Sequence, residues 1–382
     1  MLDNLFLQEE HKLIRDTARK FAQTRIVPEA SELDKNHRFP KEIISEMGKL
    51  GLMGVAIPQE FGGAGMDVLS YYLALEEISV ACASTGVIMS VNNSLSCDPI
   101  LKFGTDAQKK EFLVPMASGK VLGCFCLTEP QAGSDPAGMK TTAVREKDYY
   151  ILNGTKNFIT NGAEARFAIT FAITDKAKGH KGITAFVVDT KSTGFRVGKL
   201  EEKLGIRASS TAEIHFQNCR VPVSQRLGEE GDGFKIAMMT LDSGRIGIAA
   251  QAIGISRAAY ERAVSYAKER EQFGSPIAQF QAIQFMIADM ATKIDAARLL
   301  AVRAAMKKDR KERFSKEAAM AKLFASETAM WVTSKAIQIH GGYGYCNEYQ
   351  VERHYRDAKI TEIYEGTSEI QRLVIASHEL KE

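Results

Sequence analysis

The chain has 382 residues, a formal net charge of +3, 45% hydrophobic and 25% charged residues, a composition typical of a globular protein of roughly two or three domains. The slight charge argues against a nucleic-acid partner. No apolar run reaches the ~18–20 residues that span a bilayer, so we expect no membrane association. Residues 1–16 include acidic side chains where a targeting peptide would be basic. We therefore expect a cytoplasmic location, with a mature mitochondrial matrix form left open.

Residues 1–120 are predicted to form an α-helical domain. Four stretches have apolar residues at the spacing of an amphipathic helix: 8–22, 40–50, 67–82 and 106–113. Thr105 and Gln108 have the spacing of a capping box, in which each side chain bonds the other residue's backbone N–H. We therefore expect a helix to begin after Thr105.

Residues 121–230 are predicted to form a β-domain, because the apolar pattern changes to short β-branched or aromatic runs bounded by Gly, Asn and Asp. The runs are LGCFCL, TTAVRE, YYILNG, FAITFAIT, ITAFVV and AEIHF. Asn153-Gly154 predicts a hairpin turn between YYIL and FIT. The six cysteines are scattered, and although Cys124 and Cys126 share a strand face, we expect reduced thiols and no metal site.

Residues 231–382 are predicted to form a bundle of about four helices. From Pro276 onwards, apolar residues recur at steps of three and four along one face. Similar faces run through 234–268, 316–339 and 367–379. The basic run 307–313 is interrupted by Asp309 and Glu312 and is interpreted as a solvated loop between helices. The predicted fold class is mainly α with a middle β-domain.

The strongest candidate for a catalytic site is the stretch TEIYEGTSEIQ near the C-terminus. It places Glu365 beside the apolar Ile363 and Tyr364, just before a helix for which Thr367 and Ser368 supply capping hydroxyls, with Gln371 completing a capping box with Ser368. Apolar neighbours raise the pKa of a carboxyl group and a helix N-terminus lowers it, so we expect a base that titrates near neutrality. An exposed glutamate at an ordinary helix start is the alternative interpretation of this segment alone.

Polar groups on the β-domain could contact a heterocycle. The loop LTEPQAGSD offers hydroxyls and exposed amides. In the run FIT, Phe158 and Thr160 share one face and Ile159 points away. Each feature alone is equally explained as a turn or a core residue. The sequence has no G-x-G-x-x-G after a strand and no P-loop, zincin or G-x-S-x-G motif, which argues against those enzyme classes.

The helical bundle offers a second set of binding groups. Arg270 and Phe273 in REQFG supply a guanidinium and an aromatic face, and Gln338, Gly341 and Gly342 in QIHGGYGY lie at a helix end. These groups suit a pyrophosphate with a ribityl or adenosine chain. A helix C-cap explains the glycines equally well, and His340 is interpreted as structural.

In seven motifs that follow one another in order, the chain resembles the acyl-CoA dehydrogenases, most closely their short-chain, butyryl-type members. The motifs are LTEPQAGSD, NGTKNFITNG, LGIRASST, MTLDSGRIGIA, REQFG, QIHGGYGY and RDAKITEIYEGTSEIQR. The resemblance implies a homotetramer of three-domain subunits with FAD between domains and subunits. It also implies that Glu365 removes the α-proton of an acyl-CoA while the β-hydrogen leaves as hydride to the flavin N5, giving a trans-2-enoyl-CoA, and that electron-transferring flavoprotein accepts the electrons.

The resemblance also assigns binding residues. Flavin contacts within one subunit are implied for Phe125, Leu127, Thr128, Gly133, Ser134, Phe158, Ile159 and Thr160. Contacts to the FAD of a neighbouring subunit are implied for Arg270, Phe273, Gln281, Gln338, Gly341 and Gly342, and Thr367 with Glu369 completes that site. Acyl-CoA contacts are implied for Ser134, Asp242, Arg245 and Gly366, and Gln251 and Thr361 match a short-chain pattern in which an amide shortens the acyl tunnel.

Three positions refine this expectation. Phe158 replaces a Trp that many relatives carry. Gly244 has no side chain where isovaleryl- and long-chain-type relatives place their base, which leaves Glu365 as the candidate of that pair. Segment 84–96 has no Lys or Arg, which argues against a glutaryl-type substrate. Branched or cyclic short acyl-CoA substrates, an acyl-CoA oxidase or flavin monooxygenase on the same scaffold, and a non-enzymatic helical adaptor are the alternatives.

Overall fold

In the computed structural model, which describes residues 7–381, the N-terminal part is helical. Its helices are α1 (Glu9–Phe21), α2 (Val27–Lys35), α3 (Lys41–Lys49), α4 (Val68–Ala81), α5 (Ala83–Ser90), α6 (Asp98–Phe103), α7 (Asp106–Gln108) and α8 (Val114–Ala117). The predicted capping box is confirmed: the Thr105 hydroxyl accepts the Gln108 N–H at 3.2 Å, and Gln108 Oε1 accepts the Thr105 N–H at 3.0 Å.

Helix α4 differs from the predicted amphipathic helix because it is buried on nearly every side. It packs against α9 (Gly233–Glu269) and α1, and its carboxylates Glu76 and Glu77 are buried with its apolar residues. Arg257 and Arg298 each reach Glu76, at 2.8 and 2.7 Å. Buried carboxylates require such partners, so the charges that suggested a solvent-facing side form an internal ion-pair cluster.

The middle of the chain forms an eight-stranded sheet. Its strands are β1 (Leu122–Cys126), β2 (Thr142–Glu146), β3 (Tyr149–Thr160), β4 (Ala165–Ile173), β5 (Ile183–Asp189), β6 (Phe195–Leu200), β7 (Thr211–Pro222) and β8 (Arg226–Leu227). The order is β6-β7-β3-β2-β4-β5-β8, and β1 pairs in parallel with β4. Strand β6 was not predicted, because it is a mostly exposed edge strand without a clear apolar alternation.

The hairpin predicted at Asn153-Gly154 is wrong. Strand β3 runs through both residues and pairs with β7, with a bulge next to Gly154. The turn lies earlier, at Lys147 and Asp148, between β2 and β3. Glycine is needed at 154 because φ is +154° and a Cβ there would lie 2.3 Å from Thr141 Oγ1. The Asn-Gly pair therefore marks a bulge and a close approach of two chain segments.

The C-terminal part is again helical. Its helices are α9, α10 (Gln281–Asp309), α11 (Ser315–His340), α12 (Val351–Ile360) and α13 (Ser368–Glu379), and β9 (Glu271–Gln272) pairs with β10 (Ser275–Pro276) in a short hairpin. Four of the five helices match predicted segments. No predicted helical segment covers α12, which packs against α9 and α11.

The interpretation of 307–313 as a solvated loop is wrong for its first half. Lys307 to Asp309 form the last turn of α10. Lys307 pairs with the buried Glu317 at 2.8 Å and Lys308 pairs with Asp98 at 3.6 Å. The connection between α10 and α11 is thus limited to residues 310–314, and half of the basic run ties the helices together.

Apolar side chains form one large core that joins the N-terminal helices to the bundle, and two smaller cores against the sheet. Within residues 7–381 no helix is both long and apolar enough to cross a membrane. All six thiols are free, and Cys346 is the exposed one. No group of three metal-ligating side chains occurs in the same range.

Candidate active site

A cavity of about 180 Å³ opens where the N-terminal helices, the sheet and the bundle meet. Its lining residues are Val87, Val91, Leu95, Phe125, Leu127, Thr128, Gly133, Ser134, Pro136, Phe158, Thr160, Met238, Leu241, Arg245, Tyr364, Glu365, Gly366 and Ile370. All three parts of the chain contribute to this wall. The candidate base and most of the predicted flavin contacts on the sheet share one cavity.

Glu365 lies on a tight turn between α12 and α13. Its φ is +53° and that of Gly366 is +93°, both in the left-handed region. Helix α13 is capped by Thr367, whose hydroxyl accepts a backbone N–H of the first turn at 3.4 Å. The capping box predicted for Ser368 and Gln371 is therefore wrong. Instead, Gln371 Nε2 donates to the carbonyls of Glu365 at 3.2 Å and Gly366 at 2.9 Å, which holds the turn.

The carboxyl group of Glu365 is shielded from solvent. Its Oε2 has no hydrogen-bond partner in the part of the chain that the structure describes. Burial raises the pKa of Glu365 to about 7, and the cations Lys322 and Arg245 oppose this rise. Burial disfavours the charged form of a carboxyl group and nearby cations favour it. This environment agrees with the prediction of a base that titrates near neutrality.

The immediate neighbours of the Glu365 carboxylate differ in part from those predicted. Ile363 is 49% exposed and does not cover it. Tyr364 lines the cavity, and its hydroxyl donates to Gln251 Oε1. On α9, a Cβ placed on Gly244 would lie 2.0 Å from Glu365 Oε2. Glycine at 244 is therefore a condition for the observed position of the carboxylate.

The sheet side of the cavity fits a flat heteroaromatic ring. Phe158 is 60% exposed and lines the cavity. Its φ is +58°, and the Asn157 side chain accepts its N–H at 3.0 Å. Thr160 lines the same wall, whereas Ile159 is buried in the core of the sheet, as the alternation predicts. A flavin ring can stack on the exposed face of Phe158. The Thr160 hydroxyl and the amides of Gly133 and its neighbours can form hydrogen bonds with the edge of that ring.

The second predicted group lies on the bundle in a separate groove of about 590 Å³. Arg270, Phe273, Gly341 and Gly342 line it, and Phe273 is 95% exposed. A Cβ at either glycine would meet nothing within 4 Å. Of this second group, the residues that line neither the groove nor the cavity are Gln281, Gln338, Thr367 and Glu369. No residue of the described chain lines both spaces.

His340 has a structural place, in agreement with its interpretation. Its Nδ1 lies 2.8 Å from the Ala336 carbonyl, and its ring stacks on Tyr266 with centroids 4.3 Å apart. Helix α11 ends there, with Gly341 as the C-cap at a φ of +61°. The C-cap interpretation of QIHGG is confirmed, and the glycine also borders the groove.

Three of the predicted acyl-CoA contacts, Ser134, Arg245 and Gly366, line the cavity. Asp242 reaches Arg245 at 2.6 Å. Gln251 does not line the cavity. It is fully buried, and its Nε2 donates to the Ala83 carbonyl at 2.9 Å while its Oε1 holds Tyr364. Its amide therefore acts on the cavity through Tyr364.

Thr361 is also buried outside the cavity. Its hydroxyl donates to the Ala358 carbonyl at 2.7 Å, which terminates α12 four residues before Glu365. The role of Thr361 in this structure is thus to begin the turn that carries Glu365. The expected tunnel-lining position is not observed for either Thr361 or Gln251.

One residue near Glu365 was missed by sequence reasoning. Lys322 on α11 is fully buried, and its ammonium donates to the Gly366 carbonyl at 2.7 Å. A signal existed, because Lys322 shares a helix face with Ala318, Ala325 and Ala329. A single cation on an otherwise apolar helix face indicates an internal partner.

Known proteins resemble this chain in sequence over nearly its whole length. Models of three acyl-CoA dehydrogenase domains match the chain, the N-terminal domain at residues 8–120, the middle domain at 124–219 and the C-terminal domain at 231–380. The mitochondrial short-chain specific acyl-CoA dehydrogenase of Bos taurus is 56% identical over 98% of this chain and 91% of the relative.

Solved structures agree with these matches. Butyryl-CoA dehydrogenase from Megasphaera elsdenii superimposes with a TM-score of 0.97 and 49% identity, over 99% of this chain and 100% of that one. A chain from a structure described as the electron transferring flavoprotein of Acidaminococcus fermentans gives 0.98 and 51%, with the same coverage. The chain belongs to the acyl-CoA dehydrogenase family, whose members are FAD-dependent oxidoreductases.

Proposed function

We propose that this protein dehydrogenates a short-chain acyl-CoA to its trans-2-enoyl-CoA and that Glu365 removes the α-proton. The observation that carries the proposal is the unpartnered Oε2 of Glu365, shielded from solvent on the wall of the cavity that Phe158 and Thr160 also line. A carboxylate without a hydrogen-bond partner is free to accept a proton from a ligand. Its place in the same cavity as an aromatic stacking surface suits a reaction between two flat groups.

The proton transfer needs both a base and a stabilised product. A thioester α-C–H is a very weak acid, so the enolate oxygen must meet preorganised donors. The N–H of Glu365 lies on the same turn as its carboxyl group and supplies one such donor in the proposal. Because burial raises the pKa of Glu365 to about 7, the base is stronger than an exposed glutamate and is still ionised above neutral pH.

The residues present fit FAD in two places. We assign the isoalloxazine ring to the sheet wall, held by Phe125, Leu127, Thr128, Gly133, Ser134, Phe158 and Thr160 with Ile159 behind them. When bound, FAD supplies the two-electron acceptor for the β-hydrogen. The groove with Arg270, Phe273, Gly341 and Gly342 is assigned to the pyrophosphate and adenosine part of the FAD of a neighbouring subunit, because it shares no lining residue with the cavity.

That second assignment requires an oligomer, and we propose the homotetramer that the sequence resemblance implies. Gln281, Gln338, Thr367 and Glu369 would complete the shared site. We propose electron-transferring flavoprotein as the electron acceptor, supported by the 51% identity with a chain from a structure described by that name. Short-chain specificity is supported by the names of the relatives and by Tyr364, which lines the cavity beside Glu365 and is held by Gln251.

Replacing Glu365 tests the proposal. Glu365→Gln should keep the flavin and the affinity for butyryl-CoA and lose turnover by several orders of magnitude, because only the proton acceptor is removed. Turnover is followed with an artificial electron acceptor and FAD content by its visible absorbance. Glu362→Gln is the matched control, since Glu362 lies on the same segment and pairs with Lys359 at 2.7 Å. Near wild-type turnover in Glu365→Gln would refute the assignment.

A second measurement separates a dehydrogenase from an oxidase on the same scaffold. The protein is reduced anaerobically with butyryl-CoA and then exposed to air. A dehydrogenase should be reoxidised slowly by oxygen and quickly by an electron-transferring flavoprotein. Prompt formation of hydrogen peroxide would instead favour the oxidase.

A further inference from the structure

Lys322 occupies an unusual position for a cation. It lies about two turns from the start of α11 and is 0% exposed. Its ammonium donates to the carbonyl of Gly366 at 2.7 Å, and the same carbonyl accepts Gln371 Nε2 at 2.9 Å. Burying an ammonium is costly unless hydrogen bonds and an opposite charge compensate it. An uncharged carbonyl supplies the bond but not the charge.

The compensating charge is the carboxylate of the neighbouring residue, Glu365. It is the acidic group that interacts most strongly with Lys322, ahead of Glu362 and Glu369 on either side of the turn. From the other elements packed against the turn, Arg245 on α9 also faces Glu365, and Tyr71 on α4 interacts with it through its buried hydroxyl. Two cations therefore face one carboxylate.

The two cations differ in their access to ligands. Arg245 lines the cavity and pairs with Asp242 at 2.6 Å, so a bound acyl-CoA can engage it. Lys322 does not line the cavity. Its charge stays beside Glu365 whether or not the cavity is occupied.

Lys322 also acts on the backbone that carries Glu365. Both Glu365 and Gly366 have left-handed φ values, +53° and +93°. A glutamate persists in that conformation only where surrounding contacts fix it. The Gly366 carbonyl receives two donors, one from α11 and one from α13, so it ties the turn to both helices.

We propose that Lys322 is a positioning residue for the base. It fixes the Glu365–Gly366 turn through the Gly366 carbonyl and provides a positive charge near the Glu365 carboxylate whether or not the cavity is occupied. This inference rests on the proposed function and assigns a role in it to a residue that does not line the cavity. Burial lowers the pKa of Lys322 to about 8, against the opposing effect of Glu365, so the ammonium is charged at neutral pH.

The test isolates proton removal from the rest of the reaction. Acetyl-CoA has α-hydrogens and no β-carbon, so the enzyme can exchange its α-protons with D₂O but cannot dehydrogenate it. The FAD-loaded protein is incubated with acetyl-CoA in D₂O, and NMR follows the exchange rate as a function of pH. Two variants are compared: Lys322→Met, which removes both donor and charge, and Lys322→Gln, which keeps a donor for the Gly366 carbonyl.

Without the cation, the carboxylate is less stabilised, so its pKa rises and the acid limb of the exchange profile moves to higher pH. We expect a shift of about one pH unit in both variants, within the usual effect of a nearby opposite charge. The plateau should fall about tenfold in Lys322→Met, and less in Lys322→Gln because its amide still holds the turn. Lys335→Met, on the same helix beside Trp331, should leave the profile unchanged.

The outcomes separate the inference from the proposed function. If the wild-type protein exchanges protons and both folded, FAD-loaded Lys322 variants have the wild-type acid limb, Lys322 does not act on Glu365 and the inference is refuted. If Lys322→Met fails to fold, the acid limb of Lys322→Gln decides. A wild-type protein that exchanges no α-proton would refute the proposed function itself.

Discussion

The contact between Gly244 and Glu365 predicts that one methyl group can remove activity while leaving the protein folded. In Gly244→Ala the new Cβ would lie 2.0 Å from Glu365 Oε2 and 2.9 Å from Leu95 Cδ2. Ordinary contact begins near 3.4 Å, so the carboxylate oxygen must retreat by about 1.4 Å. The Glu365 carboxylate is therefore displaced from its observed position by about 1.4 Å.

The two consequences of this displacement have different sizes. Misplacing a reacting group by 1 Å costs ~100-fold in rate, so we expect kcat/KM to fall at least about 100-fold, or about 2.7 kcal/mol of transition-state stabilisation. Overpacking costs about 1–3 kcal/mol of stability, but the atom displaced is the end of a flexible side chain, and Gly→Ala inside a helix recovers up to about 1 kcal/mol. The stability should stay within about 1 kcal/mol of wild type.

The assay measures kcat/KM with butyryl-CoA and an artificial electron acceptor, together with Tm and FAD content. Gly254→Ala is the matched control, because its Cβ would lie further along α9, 2.7 Å from the Glu76 carbonyl oxygen and 2.7 Å from Ser79 Cβ, and its nearest neighbours do not include Glu365. It should lose stability without a comparable loss of rate. More than half of the wild-type kcat/KM in Gly244→Ala would contradict the expected displacement of the carboxylate.

Two further predictions concern stability and cofactor binding. Burial alone would raise the pKa of Glu76, but Arg298 and Arg257 lower it to about 2 from 4.5. The ionised carboxylate therefore stabilises the fold by about 3 kcal/mol above pH 4.5. This stabilisation is lost as the pH falls towards 2. The decline of Tm with acid should be shallower in Glu76→Gln, and an equal slope would contradict the shift. Arg270→Ala should lower FAD retention and tetramer stability together, measured by absorbance and sedimentation, whereas the exposed Lys268→Ala should not. Unchanged FAD content in Arg270→Ala would count against the groove as a shared site.

Local patterns predicted the elements that depend on local contacts. The cap at Thr105 and four of the five bundle helices follow from residues three or four positions apart, the distance over which a helix forms its own bonds. The error at Asn153-Gly154 has the opposite origin. The conformation there is fixed by pairing with β7, about 60 residues later, and by the contact with Thr141. The residues next to the dipeptide in the sequence indicate neither contact.

The same distinction applies to the candidate site. The motif around Glu365 predicted which residue carries the carboxylate, and the alternation of FIT predicted which side chains face the cavity. The motif predicted capping hydroxyls at both Thr367 and Ser368, and only the backbone turn decides that Thr367 is the cap. Gln251 was placed in the tunnel because it matches a short-chain pattern of the family, yet its partners Ala83 and Tyr364 lie elsewhere in the chain.

The pKa of Glu365 depends on groups that its local motif does not contain. The largest contribution is burial, and the next two are Lys322 and Arg245, which lie on α11 and α9, far from Glu365 in sequence. Burial raises the pKa and the two cations lower it, so a pKa near neutrality is a balance of opposing effects. Removing a cation raises the pKa, and exposing the carboxyl group to solvent lowers it. Gly244 on α9 enters the same balance, because any side chain there would displace the carboxylate from its observed position. The acidity of Glu365 is therefore set by the packing of α9 and α11 around one turn.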